Sequence, residues 1–229
     1  MGKETEQKQE IVNQGVHRYS QEEAYVWPEE PVLREQLEWF QDQKLALMVH
    51  WGMYNQLGMV ASWALSDEDA EWSRKTVDWT DDGELFKRQY RALNRAFDPV
   101  AFQPEEWAKM AKECGSRYLI LTTKHHDGFC LWDTAYTEYK TTAEECPFHT
   151  HKYADIVRAM FDAFRKEGLG IGAYFSKADW HCPDYWETEK ALTRKTTRNP
   201  TYDPKENPEA WERFRAFTRD QILELGKQY

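Results

Sequence analysis

The chain contains three short apolar runs, each bounded by polar or turn-forming residues. Runs of this length predict buried β-strands, and they cover residues 45–49, 118–123 and 170–176. Between and after them, apolar residues recur at the spacing of an amphipathic helix. We predict helices over residues 32–42, 82–97, 104–114, 154–166 and 209–226, and none in the polar, proline-containing stretch 183–208. The predicted apolar side of the last helix carries Trp211, Phe214, Phe217, Ile222 and Leu225.

Strands that alternate with helices favour a parallel sheet, because each crossover must return the chain to the same end of the sheet. We therefore predict an α/β fold, a partial (β/α)8 TIM-like barrel with the first three to four βα units. A complete barrel has eight strands and about 250 residues, whereas this chain has 229 residues and three strand candidates. We expect residues 1–30 to form a polar N-terminal arm and residues 31–229 to form one domain, truncated before the fourth strand.

Composition narrows the classes of partner and compartment. The formal net charge is -10, which argues against nucleic acid as the main partner, because phosphate binding needs a basic face. No run of about 18 apolar residues predicts a membrane span. The start of the chain lacks the apolar core of a signal peptide, so we expect a cytoplasmic protein. The four cysteines have no zinc-ligand spacing and are expected to be thiols.

Histidine and tryptophan follow each of the three predicted strands. The segments are His50-Trp51-Gly52, the heptapeptide from Lys124 to Cys130, and Asp179-Trp180-His181. The carboxyl ends of parallel strands meet at one edge of a sheet or barrel, where catalytic and binding groups are usually placed. The sequence therefore predicts one site assembled from these three segments.

The residues of this site allow several chemistries. Neutral imidazoles offer a donor and an acceptor to sugar hydroxyls, and tryptophan rings can pack against the C–H face of a sugar. A metal site is disfavoured, because adjacent His125 and His126 on a strand would point in opposite directions and no zinc-ligand spacing is present. Paired carboxylates would indicate a glycoside hydrolase, but Asp127 and Asp179 also fit turn positions. The histidines could also simply be satisfied by backbone groups.

The motifs together resemble the α-L-fucosidases of glycoside hydrolase family 29. The resemblance runs from about residue 39 to 229 and rests on His50-Trp51-Gly52, on the block Leu-Ile-Leu-Thr-Thr-Lys-His-His-Asp-Gly-Phe-Cys-Leu-Trp at 119–132, and on Tyr174-Phe175-Ser176 with Asp179-Trp180-His181 and Pro183-Asp184-Tyr185. It implies a retaining, exo-acting glycosidase on an irregular (β/α)8 barrel, without a cofactor or metal. It further implies that the fucose hydroxyls are bound by His50, His125, His126 and Tyr174, beside the pocket tryptophan Trp63.

Two departures from the family pattern affect the expected activity. Ser62 stands where many members have glutamate before the pocket tryptophan. The nucleophile and the acid/base of the family are expected beyond Tyr229, so no catalytic residue is assigned within this chain. We expect a fucosidase-like protein whose partner is a fucosylated glycan or fucoside and which is inactive alone. The alternatives are a non-catalytic fucose-binding remnant and a metal-dependent hydrolase.

Overall fold

A computed structural model describes residues 26–229, so most of the predicted polar arm lies outside the described residues. The chain divides into two units, Met1–Lys44 and Leu45–Tyr229. The described part of the first unit contains helix α1, Pro31–Asp42. Pro31 occupies the first turn, where its missing N–H costs nothing. The Glu30 carboxylate caps the helix by accepting the backbone N–H groups of Val32 and Leu33.

The second unit is built on a three-stranded parallel sheet. Strands β1 (Ala46–Val49), β2 (Tyr118–Lys124) and β3 (Gly170–Phe175) lie in the order β1-β2-β3. Met48 is paired with Ile120, and Ile120 with Gly172. The predicted α/β class with a parallel sheet is confirmed. Both strand pairs are parallel, so all three strands end at the same edge of the sheet.

Six further helices and four short 3-10 helices connect and cover the strands. The α-helices are α2 (Ala70–Ser73), α3 (Gly83–Arg91), α4 (Pro104–Glu113), α5 (Ile156–Lys166), α6 (Thr188–Thr193) and α7 (Pro208–Gln228); the 3-10 helices are Met53–Leu57, Trp63–Leu65, Ala92–Ala96 and Pro147–Thr150. Helix α5 packs against α4, β2 and β3. On β2, Leu119 and Leu121 are fully buried, whereas Ile120 on the other face is only half-buried and its neighbour Met48 is 49% exposed. One face of the sheet is therefore well covered and the other is more open.

Three helix predictions need correction. The helix predicted over 82–97 ends at Arg91 and continues as the 3-10 helix Ala92–Ala96. Helix α6 lies in the stretch for which no element is predicted. On α7, Ile222 is 42% exposed, while the polar residues Gln221 and Glu224 are buried. Those two polar side chains have partners inside the protein, Lys124 and Trp132 respectively, so hydrophobicity alone assigns this face incorrectly.

All four cysteines are free thiols, and only Cys114 is exposed. Within residues 26–229, no helix has the length and apolar character needed to cross a membrane.

Candidate functional site

The segment from the last residue of β2 onward, residues 124–130 (hereafter the β2 loop), makes a tight turn. The N–H of Gly128 donates to the carbonyl of His125 at 3.1 Å. Gly128 has φ +81°, a conformation that residues with a side chain rarely adopt. A Cβ at Gly128 would lie 2.5 Å from Oδ1 of Asp179. The turn thus brings the β2 loop against residues 176–182, the segment after β3 (hereafter the β3 loop).

A buried ion pair joins these two loops. Nζ of Lys124 lies 2.8 Å from Oδ2 of Asp179 and 2.9 Å from Oε1 of Gln221 on α7. The other oxygen of Asp179 accepts the N–H groups of His181 and Cys182. Burial alone would raise the pKa of Asp179, but Lys124 and these N–H groups outweigh it and hold the pKa below its usual value. Asp179 is therefore engaged in holding the loops together.

The second carboxylate of the site is also engaged by protein groups. Asp127 is buried, and its carboxylate accepts hydrogen bonds from the hydroxyl of Tyr90 at 2.9 Å and from the backbone N–H of Phe129 at 3.1 Å. Burial raises the pKa of Asp127 to about 6. Asp127 and Asp179 thus both have structural partners, as their predicted turn positions suggested.

The five residues predicted to bind sugar form one cluster of rings. His125 is its centre, with ring centroids 5.0 Å from His50, 5.5 Å from Trp63, 4.8 Å from His126 and 6.4 Å from Tyr174. They come from the segment after β1, the 3-10 helix Trp63–Leu65, the β2 loop and the end of β3. The structure therefore brings together the five residues that the family resemblance assigns to the sugar. Two residues of the predicted segments lie elsewhere: His181 stacks on Tyr139 at 3.8 Å, and Trp51 packs against Phe102 and Trp107.

The expectation that His125 and His126 point in opposite directions is wrong. Their rings are 4.8 Å apart, and both lie within 5.5 Å of the Trp63 ring. Strand β2 ends at Lys124, so the alternation of side chains along a strand does not extend into the turn. Among residues 26–229, no group of three or more histidine, cysteine, aspartate or glutamate side chains is placed to hold a metal ion.

Each of the three histidines has an anchored ring nitrogen. Nδ1 of His50 lies 3.0 Å from the Thr122 hydroxyl, and Nδ1 of His126 lies 2.8 Å from the carbonyl of Ala178. Nδ1 of His125 contacts both the hydroxyl and the backbone N–H of Ser62.

The electrostatic environment keeps these rings neutral. Burial, together with the neighbouring His126 and His50, lowers the pKa of His125 to about 2. Burial also lowers the pKa of His50 and of His126. At neutral pH the cluster therefore presents uncharged imidazoles, each with one donor and one acceptor nitrogen.

Several contacts of the cluster were not predicted from the sequence. The ring of Tyr54 lies 5.6 Å from the ring of His125. This position requires a glycine at 52, because a Cβ there would lie only 2.6 Å from the Tyr54 ring. By contrast, Trp180 belongs to one of the three predicted segments, and it stacks on His126 at 4.8 Å. The guanidinium of Arg198 lies 4.7 Å over the ring of Trp63, and nothing in the predicted polar stretch singles it out.

Three comparisons with known proteins all indicate the same family. A sequence profile described as Alpha-L-fucosidase matches residues 12–229. The chain is 29% identical over 158 residues to the plasma alpha-L-fucosidase of Rattus norvegicus, covering 69% of this chain and 33% of that protein. It is similar to the crystal structure of a GH29 alpha-L-fucosidase from Bacteroides thetaiotaomicron, with a TM-score of 0.63, 30% identity, and coverage of 88% of this chain and 39% of that one.

A second Bacteroides thetaiotaomicron structure shows a GH29 alpha-L-fucosidase trapped as a covalent intermediate with 2-fluoro-fucosyl fluoride. It aligns with a TM-score of 0.62 and 31% identity over 88% of this chain and 40% of that chain. The profile match covers most of this chain and therefore shows its family. The chain belongs to the alpha-L-fucosidase family. It spans about a third of the length of the curated relatives that it matches.

Proposed function

We propose that the cluster centred on His125 binds a terminal α-L-fucose residue of a fucosylated glycan or fucoside. The observation that carries this proposal is the contact of His125 with His50, Trp63, His126 and Tyr174. Uncharged imidazoles can exchange hydrogen bonds with sugar hydroxyls, and the half-buried Trp63 ring offers an apolar surface for the C–H face of the sugar. Membership of the alpha-L-fucosidase family supports fucose as that sugar.

We propose that β1, β2 and β3 are the first three strands of a (β/α)8 barrel. Their parallel order and the placement of the site at their carboxyl ends support this arrangement. The open face of the sheet, which carries Met48 and Ile120, would then face the interior of the barrel.

The reaction that we propose for the whole enzyme is retaining and exo-acting. Retention uses two carboxyl groups about 5–5.5 Å apart, and the covalent intermediate of the Bacteroides thetaiotaomicron relative supports this route. In this chain, Asp127 and Asp179 are both engaged by buried protein groups. We therefore propose that residues outside these 229 supply the nucleophile and the acid/base, and that the chain alone does not hydrolyse fucosides.

An assay of this polypeptide with an aryl α-L-fucoside tests the proposal. We expect no aglycone release above that of a His125→Ala variant. Turnover that is clearly faster than the variant would contradict the assignment of the carboxylates.

A non-catalytic fucose-binding protein is the second candidate, and the engagement of both loop carboxylates favours it. The coding sequence beyond the codon for Tyr229 separates the two functions. An in-frame continuation into an apolar strand that ends in aspartate supports the hydrolase, and an immediate stop codon supports the binding protein.

A further inference from the structure

Ser62 lies against His125 but is closed off from solvent. Its side chain is fully buried in the described structure. Its hydroxyl accepts the backbone N–H of Asp127 at 3.2 Å and hydrogen-bonds to Nδ1 of His125. A fully buried hydroxyl with both of these partners is placed to act on His125 and not on a sugar.

The contacts of Ser62 determine which nitrogen of His125 carries the proton. The backbone N–H of Ser62 points at Nδ1 of His125 from 3.4 Å. A backbone N–H can only donate, so Nδ1 must be the acceptor. The hydroxyl of Ser62 already accepts from Asp127 and is free to donate its own hydrogen to the same Nδ1. In a neutral imidazole the proton then lies on Nε2.

The adjacent histidine is held in the opposite way. Nδ1 of His126 lies 2.8 Å from the carbonyl oxygen of Ala178. A carbonyl can only accept, so Nδ1 of His126 carries the proton and Nε2 keeps its lone pair. Trp180 restrains His126 further. Its ring stacks on the imidazole, and its backbone N–H donates to the His126 carbonyl at 2.7 Å.

We propose that Ser62 is a positioning residue that fixes His125 as an Nε2–H donor, so that His125 and His126 present one donor and one acceptor to the sugar. The tautomers follow from the contacts alone, and the inference rests on the proposed function only for the identity of the ligand. A pair of this kind can donate to one sugar hydroxyl and accept from the same hydroxyl or its neighbour. It thereby selects for hydroxyls and against groups that cannot donate.

Histidine tautomers can be measured directly in the 229-residue chain. Long-range proton–nitrogen correlation spectra of the ¹⁵N-histidine-labelled protein distinguish protonated from unprotonated ring nitrogens. The chain has only seven histidines, and the variants His125→Gln and His126→Gln assign the two signals. We expect a protonated Nε2 on His125 and a protonated Nδ1 on His126 at pH 7. The same tautomer on both rings, or a protonated Nδ1 on His125, would overturn the proposal.

The role of Ser62 is tested with Ser62→Ala and a matched control. Ser66→Ala removes the hydroxyl of an equally buried serine that makes no hydrogen bond to a histidine in the described structure. Ser62→Ala leaves Nδ1 only the long contact with the backbone N–H, so we expect a mixture of His125 tautomers and about tenfold weaker binding of L-fucose. Ser62→Thr keeps the hydroxyl and should restore the wild-type pattern. An unchanged His125 signal in Ser62→Ala would contradict the positioning role.

The two levels of the proposal can fail separately. If the wild-type tautomers are as expected but L-fucose shifts neither histidine signal, the assignment of the tautomers stands and the proposed sugar is wrong. If Ser62→Ala does not fold, the wild-type spectrum alone still decides which nitrogen of His125 is protonated.

Discussion

Gly128 shows how a single backbone conformation can hold a site together. A side chain there would meet two obstacles, the positive φ of +81° and the Asp179 carboxylate 2.5 Å from the new Cβ. Gly168 has a similar φ of +76°, but a Cβ there would meet no described atom within 4 Å. We expect Gly168→Ala to lower the free energy of unfolding by about 1–2 kcal/mol and Gly128→Ala by about 3 kcal/mol or more. Urea unfolding measures both, and equal losses would contradict the close approach of the two loops.

The buried titratable residues predict acid sensitivity. The pKa of folded His125 is about 2 and that of His181 is about 4, against 6.5 for both when unfolded. The unfolded chain therefore binds two more protons near pH 5, and stability falls as the pH is lowered from 6.5. Asp127 acts in the opposite direction, because its folded pKa of about 6 exceeds its ordinary value of 3.8. These three groups leave one net proton, a loss of about 1.4 kcal/mol per pH unit near pH 5, and the lowered pKa values of His50 and His126 add to this loss.

Urea unfolding at pH 6.5, 5.5 and 5.0 checks this balance. In Asp127→Asn the opposing carboxyl is absent, so the slope should be steeper than in the wild type by about 1 kcal/mol per pH unit. A stability that is constant or increases from pH 6.5 to 5.0 would show that the histidines are not buried as neutral rings.

Single residues differ in how well the sequence predicts them. His50, His125, His126 and Tyr174 lie in motifs at the ends of strands, whereas Trp63 does not; the family resemblance assigns all five to the sugar. The contact of Ser62 with His125 was not predicted, since it joins residues 63 positions apart through a buried hydroxyl. Such a contact depends on packing, which has no periodic signature in the sequence.

At the scale of elements, Lys124 joins three parts of the fold. It ends β2, pairs with Asp179 of the β3 loop and binds Gln221 of α7. Its ammonium also lies 4.4 Å from the centroid of the Phe175 ring. Because the side chain is fully buried, this ion pair is protected from the screening that weakens surface pairs.

We expect Lys124→Met to lower the free energy of unfolding by about 3–5 kcal/mol, because Asp179 would be left as a buried charge without a cation. The double variant Lys124→Met/Asp179→Asn should recover at least about 1 kcal/mol of this loss. Lys109→Met, which removes an exposed pair with Glu106, serves as the control and should change little. A double variant that is no more stable than Lys124→Met would contradict the pairing.

Elements with a regular pattern were predictable, and those fixed by tertiary contacts were not. The three strands and helices α1, α4, α5 and α7 follow the apolar periodicity. Helix α6 has only six residues, too few for a periodic signal to be distinguished from its polar surroundings. The buried face of α7 was misread at Ile222, because Gln221 and Glu224 are buried through hydrogen bonds.

In the whole molecule, the groups that bind the sugar are separate from those that would cleave a bond. The ring cluster is assembled within these 229 residues, whereas both of its carboxylates serve the structure. The polypeptide should therefore recognise fucose even if it does not cleave a fucoside. Recognition by hydrogen bonds from fixed groups also depends on the handedness of the sugar, since mirror-image hydroxyls cannot meet the same donors and acceptors.

Calorimetric titration of the purified chain with L-fucose, and with D-fucose as the control, is the decisive measurement of whether the ring cluster binds fucose. We expect saturable binding of L-fucose with one site per chain and at least about tenfold weaker binding of its mirror image, a difference of about 1.4 kcal/mol. A chain that binds neither sugar, or that binds both equally, would contradict the assignment of His50, Trp63, His125, His126 and Tyr174 as a fucose site.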